Sequence, residues 1–252
     1  MSDGVKKRLV VYGTLLAVGA ILFLLRHEVR ELVASIRGRA RGDATVEQRL
    51  EQYGEAARAR WQPYFKEAGV AYPPKELVFV GLKSEDLLEV YAPRSDGSMA
   101  LIRGLPVCAG SGTNGPKLQE GDFQIPEGIY GISFLNANSR FHLSLRINYP
   151  NAFDKKMGER DGRTYLGGDI MIHGACVSIG CLAMGDPAAE DLFVLAADVG
   201  MREIKVILAP FDFRLRPPTD ADYEGHPDWL PDVYANIQRE LQALPTNHLS
   251  PE

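Results

Sequence analysis

The sequence predicts an α+β fold, mainly β, with a sandwich or barrel-like domain over about residues 75–215. Three observations carry that prediction. The apolar period changes from helical to extended at Glu76; short apolar runs broken by turn residues then follow one another; and a single convincing helix, Pro187 to Gly200, interrupts them. At 252 residues, with 45% hydrophobic and 24% charged side chains, the chain can bury one ordinary core. Its net charge of −5 gives no basic footprint, which argues against a nucleic-acid partner.

The chain reads as four segments. Residues 1–25 are expected to be an N-terminal transmembrane helix: Lys6-Lys7-Arg8 precedes Leu9 to Leu25, a run without charge. At 1.5 Å rise that run covers about 26 Å, the short end of a bilayer core. A cleaved signal peptide fits less well, because no small-x-small site closes the run. Arg26, Arg30, Arg37, Arg39 and Arg41 follow it, so a plain count of basic residues opposes an N-in orientation.

Residues 26–74 form an Arg- and Gly-rich spacer and a helix from Thr45 to Glu67. Thr45 with Glu47-Gln48 suits its N-terminus, and Leu50, Tyr53, Ala57 and Trp61 lie along one face. Gly69 and Tyr72-Pro73-Pro74 end it. Within 75–215, Leu77–Val80 and Leu87–Tyr91 flank a polar turn and predict a hairpin. Ala100–Val107 is a further strand. Gly110 to Gly115 is a loop, and no Gly-Lys-Ser/Thr follows to make it a phosphate cradle. Phe123–Ile125, the turn Pro126-Glu127-Gly128, and Ile129–Leu135 predict strand, turn, strand. Phe141–Ile147, Asp169–Ile172 and Ile204–Leu208 complete the strands. Residues 216–252 form a tail with Pro217-Pro218 and a short helix over Asp232–Leu244, expected on the surface.

The chemistry concentrates in His173-Gly174-Ala175-Cys176-Val177-Ser178-Ile179-Gly180-Cys181-Leu182-Ala183-Met184. A thiol is a nucleophile only as thiolate, so a catalytic cysteine needs a base within reach. The loop from His173 to Cys181 is long enough to fold back and bring the two together. Gly180, beside Ser178, permits a tight turn that can aim the N–H groups near Cys181 at an oxyanion. On spacing alone three readings stay open. Cys181 and His173 can be a nucleophile and its base, Cys181 can be a buried small hydrophobe, or Cys176, Cys181 and His173 can be part of a metal site of non-standard spacing. Cys108, Cys176 and Cys181 are too few and odd in number for a disulfide framework.

This segment resembles the signature of L,D-transpeptidase (YkuD-type) catalytic domains, in which His-Gly precedes Ser-x-Gly-Cys. The run His-Gly-x-Cys-Val-Ser-Ile-Gly-Cys-x-Ala-Met is similar to the family's YafK-like branch, as are Gly115–Tyr130 and Asn148–Asp154. The resemblance covers roughly residues 60–215. It implies acyl transfer on peptidoglycan stem peptides, with Cys181 attacking the carbonyl of the third, diamino-acid residue through a thioester and His173 as its base. It implies the Gly174 carbonyl as orienter of the imidazole, and no cofactor or metal. The wider family carries Arg two residues after the cysteine where this chain has Ala183. That departure favours the YafK-like branch, for which hydrolysis releasing wall-linked lipoprotein is as open as cross-linking. The chemistry further implies a single-pass protein of the cytoplasmic (inner) membrane with its catalytic domain in the periplasm. Cys108 and Cys176 can be buried thiols, or a disulfide that leaves Cys181 free. A non-catalytic peptidoglycan-binding module of the same fold is the alternative function.

Overall fold

The computed structural model describes residues 42–246. Helix α1, Val46–Ala68, opens on a capping box: Thr45 N donates to Gln48 Oε1 at 2.9 Å and Gln48 N to Thr45 Oγ1 at 3.3 Å. It closes on Gly69 in the left-handed region, φ 69°. Then follow β1 (Leu77–Leu82), β2 (Leu87–Pro93), β3 (Met99–Pro106), β4 (Gly128–Ser139) and β5 (His142–Ile147). Helix α2 (Ala152–Arg160), β6 (Met171–His173), β7 (Leu182–Ala183), α3 (Asp186–Val199), β8 (Ile204–Ala209) and α4 (Leu230–Gln242) complete the order.

The α+β class holds, with one sheet in place of the expected sandwich or barrel. Eight strands run in the order β3-β2-β1-β8-β4-β5-β6-β7. Strand β4 joins the two halves: Gly128–Gly131 pair with β8, whereas Ile132 to Ser139 pair with β5. Strand β1 is buried along its whole length because both its faces meet a core. Leu77 and Phe79 point into a cluster with Trp61 and Phe65 of α1 and Leu192 and Phe193 of α3. Val78, Val80 and Leu82 point into a second cluster with Leu230, Tyr234 and Ile237 of α4. Strand alternation thus separates two helical layers. The second cluster draws no residue from β5, β6 or β7 among the described residues.

Three local expectations change. Phe123–Ile125 is not a strand: Phe123 is left-handed at φ 56°, and the Asp122 carboxylate collects the N–H groups of Leu118, Gln119 and Gln124 into a turn. Helix α2 was not foreseen, although Asn151 and Asp154 cap its N-terminus reciprocally, Asn151 N donating to Asp154 Oδ2 at 2.8 Å and Asp154 N to Asn151 Oδ1 at 3.1 Å. The helix of the tail does not lie loosely on the surface but supplies the second core.

The membrane placement is corrected. No helix among the described residues is long and apolar enough to cross a membrane. The longest, α1, carries Arg, Lys and Glu on its outer face and buries only Gly54, Ala57, Trp61 and Phe65. A single-pass protein of the cytoplasmic membrane with a periplasmic catalytic domain therefore finds no support in this fold. The Leu9–Leu25 run behind the anchor expectation lies outside the described residues.

Candidate active site

Strands β6 and β7 lie parallel, with Ile172 opposite Leu182 and His173 opposite Ala183. Ile172 and Leu182 face the first core. Extending the register by one puts Cys181 beside Met171, and alternation turns Met171, His173, Cys181 and Ala183 to the other face. The Met171 N–H indeed donates to Cys181 Sγ at 3.4 Å. The sheet, rather than the loop, brings the two predicted residues to one face, two positions apart.

His173 is buried, and the Phe141 ring covers it with centroids 4.8 Å apart. Its Nδ1 lies 2.5 Å from Gly174 O. A carbonyl can only accept, so Nδ1 carries the proton and, in the neutral ring, Nε2 keeps its lone pair. Burial pushes the His173 imidazole below its ordinary pKa, against the support of that carbonyl. Burial also pushes the half-buried Cys181 thiol up, with the Met171 N–H opposing the rise. Both shifts favour the neutral forms, a thiol and an imidazole.

The loop between them is stitched down. Cys108 and Cys176 form a disulfide, which leaves Cys181 as the free cysteine and takes Cys176 from the metal alternative. Cys108 N donates to Ala183 O at 2.8 Å and Ala183 N to Ala109 O at 3.0 Å, so the chain leaving β3 runs along β7. Ser178 grips Cys181 twice, its Oγ accepting from Cys181 N at 2.9 Å and donating to Cys181 O at 2.6 Å. Gly180, at φ 109°, donates its N–H to Ser111 Oγ at 2.5 Å, and Ser111 Oγ donates to Phe123 O at 2.8 Å. The two amides expected to receive an oxyanion thus both rest on serine hydroxyls, as buried N–H groups require a partner.

Ser111 was missed by sequence reasoning, and no local signal could have found it, since it meets Gly180 across 69 positions. It also lines a pocket of about 300 Å³ with Lys83, Asp86, Thr113, Ile125 and Leu182, whose lining includes neither Cys181 nor His173. Lys83 is locked there by Glu127 at 2.8 Å and by the Thr113 carbonyl at 2.6 Å. Glu127 in turn accepts from Tyr234 of α4 at 2.7 Å, tying the loop to the second core. Ala183 is fully buried on the face of the thiol, so no guanidinium arises at that position.

Residues 75–207 match the L,D-transpeptidase catalytic domain family, YkuD. Over 149 residues the chain is 34% identical to "Putative L,D-transpeptidase YafK" of Escherichia coli K12, covering 57% of this chain and 56% of that protein. The same protein of Escherichia coli O157:H7 matches equally. The chain thus spans about half the length of the curated relatives it matches. Among solved structures, the helical cell shape determining protein Pgp2 from Campylobacter jejuni aligns at 24% identity and TM-score 0.43, over 57% of this chain and 53% of that one. L,D-transpeptidase 1 of Mycobacterium tuberculosis aligns at 14% identity and TM-score 0.31, over 53% and 62%.

Proposed function

Because the chain belongs to the L,D-transpeptidase catalytic domain family, we propose that it transfers acyl groups of peptidoglycan stem peptides through a thioester on Cys181. One observation carries the assignment: the Gly174 carbonyl holds the proton of His173 on Nδ1, which leaves Nε2 as a base on the face that Cys181 shares.

In the first half-reaction Sγ attacks the carbonyl carbon of the third, diamino-acid residue while His173 Nε2 takes the thiol proton. The tetrahedral adduct collapses by breaking the C–N bond, and the imidazolium returns the proton to the leaving amine. An acceptor amine or water then attacks the thioester, gives its proton to Nε2, and expels Cys181 as thiolate, which recovers that proton. A pair that is neutral at rest separates charge only as the bond forms, so general-base help belongs to the transition state. The Ser111 and Ser178 hydroxyls would have to yield the Gly180 and Cys181 amides to an oxyanion, or Ser111 would donate to it instead.

Water as acceptor is the second reading, and Ala183 favours it: the arginine of the wider family is absent. The test is to incubate the chain with purified wall fragments and assign products by mass. New cross-links mean an amine acceptor, and a shortened stem or released peptide means water. A protein that binds fragments, leaves them unchanged and takes no label from a carbapenem-like acylating probe would be the non-catalytic module instead.

A further inference from the structure

One peptide group at the site is held at both ends. The Gly174 carbonyl accepts from His173 Nδ1 at 2.5 Å, and the N–H of the same unit, on Ala175, donates to Asp186 Oδ1 at 2.7 Å. Neighbouring bonds fix its plane: Gly174 N to Leu143 O at 3.1 Å, Met184 N to His173 O at 2.8 Å, and Gly185 N to Ala175 O at 2.9 Å. The backbone is bent to achieve this, since Ala175 sits in the left-handed region at φ 57°, uncommon for a residue with a Cβ. Gly174 leaves the room: a Cβ there would stand 2.6 Å from Asp186 Oδ1 and 2.8 Å from Phe141 O.

We propose that Asp186, the first residue of α3, is a positioning residue for His173, acting through the Gly174–Ala175 peptide that bridges the carboxylate and the imidazole. The proposal rests on the reading of Cys181 and His173 given above. A carboxylate on the N–H side of an amide polarises it and makes its oxygen a better acceptor, as bonds in a chain strengthen one another by roughly 10–30%. The benefit is greatest once His173 has taken the thiol proton, because the bond to Gly174 O is then charge-assisted. The same grip holds Nδ1 as the donor, and so Nε2 as the base. Asp186 is exposed, so water screens its long-range field and the effect runs through the bonded amide.

Other charged groups stand around this corner on each packed element. His142 of β5 lies 2.9 Å from Glu190 of α3, which also meets Arg60 of α1 at 3.2 Å. Asp169 and Lys117 act on the thiol, and Arg146 of β5 lies 3.4 Å from Asp169. Asp186 is the carboxylate bonded to the bridging amide.

The experiment measures kcat and KM of the full chain on wall fragments across pH for the native protein, Asp186→Asn, Asp186→Ala and Cys181→Ala. Asparagine keeps an acceptor oxygen and removes the charge. We expect Asp186→Asn to lower kcat on the order of tenfold and Asp186→Ala on the order of a hundredfold, as loss of a partner that orients a histidine does. KM should stay within about twofold, because the substrate-binding contacts remain. The acid limb of kcat should move to lower pH in Asp186→Asn, because the imidazolium has lost support. An acid limb fixed at its native position in Asp186→Asn overturns the proposal, even if Asp186→Ala is slow for want of a stable helix start. An NMR titration of His173 in Asp186→Asn reads the same shift without turnover. Cys181→Ala separates the two claims: turnover surviving there removes the dyad itself, whereas an inert Cys181→Ala beside a native-like Asp186→Asn removes only Asp186.

Discussion

Two buried polar corners of one sheet are built on opposite terms. Beside α4, Arg214 lies with Glu89 at 2.6 Å, Asp212 at 2.8 Å and the Tyr91 hydroxyl at 2.5 Å, all under 8% exposed where the ion pairs are measured. Every charge there has an opposite charge in contact, and the cluster has nothing to gain by moving a proton. At the other end of the sheet, burial favours the neutral forms of His173 and Cys181, whose hydrogen bonds run to backbone groups. A compensated cluster can only stabilise; an uncharged acid beside an uncharged base can exchange a proton when a substrate rewards it.

That contrast can be broken most forcefully at the thiol. Cys181→Ala and His173→Ala should each lower turnover by about 10⁴- to 10⁶-fold, as when nucleophile and base act as a unit, with little change in melting. Labelling of Cys181→Ala by an acylating probe at the native level would end the assignment. Arg214→Ala should do the reverse. It strands Glu89 and Asp212 in a buried site and should cost about 3–5 kcal/mol in urea unfolding, while kcat per folded molecule stays native.

The disulfide lies between these extremes. Closing 68 positions, its loss in Cys108→Ser is expected to cost roughly 2–4 kcal/mol, by the constraint it places on the unfolded chain. Unlike Arg214→Ala, it should also lower kcat, since Cys176 belongs to the loop that delivers Cys181. Stability lost with kcat intact would show that Ser178 and Ser111 suffice to hold that loop.

The smallest effect sharpens the rule. Asp154 is a carboxyl held by hydrogen bonds from Asn151 N and the Tyr130 hydroxyl, and burial raises it to about 6. A folded-state pKa above the unfolded value means that stability is greatest below about pH 4 and is lost as pH rises through 6. The loss should be about 1–2 kcal/mol, allowing for partial exposure. Asp154→Asn should flatten that stretch of the melting-against-pH curve; an unchanged slope would assign the titration to another group.

Much of this was legible in the sequence because it is local. The Thr45 cap, the Gly69 stop, the helix after Pro187 and the His173–Cys181 spacing all lie within a few residues of their cause. The Asn151–Asp154 capping box was equally local, but the strong β pattern around it masked a helix of only nine residues. What stayed hidden depends on contact across the fold. Ser111 reaches Gly180 from a glycine-rich loop with no pattern of its own. Asp186 reads as an ordinary acidic residue at a helix start, and only the bend at Ala175 brings the amide beyond the histidine onto it. The one-sheet topology turns on β4 changing partners midway, which no periodicity records.

Parallel neighbours usually need a dozen or more residues to connect, because the chain must travel back to the start of the second strand. Here the return from His173 to Leu182 is made by residues 174–181 alone, without a helix. The segment therefore works as a ruler. Surface loops tolerate insertions because their length decides little, but one residue added or removed between Gly174 and Gly180 would slide Cys181 by one place and turn its sulfur into the core, beside Ile172 for an insertion and Ile170 for a deletion. Engineers who wish to graft new specificity onto this scaffold should leave this segment at its native count.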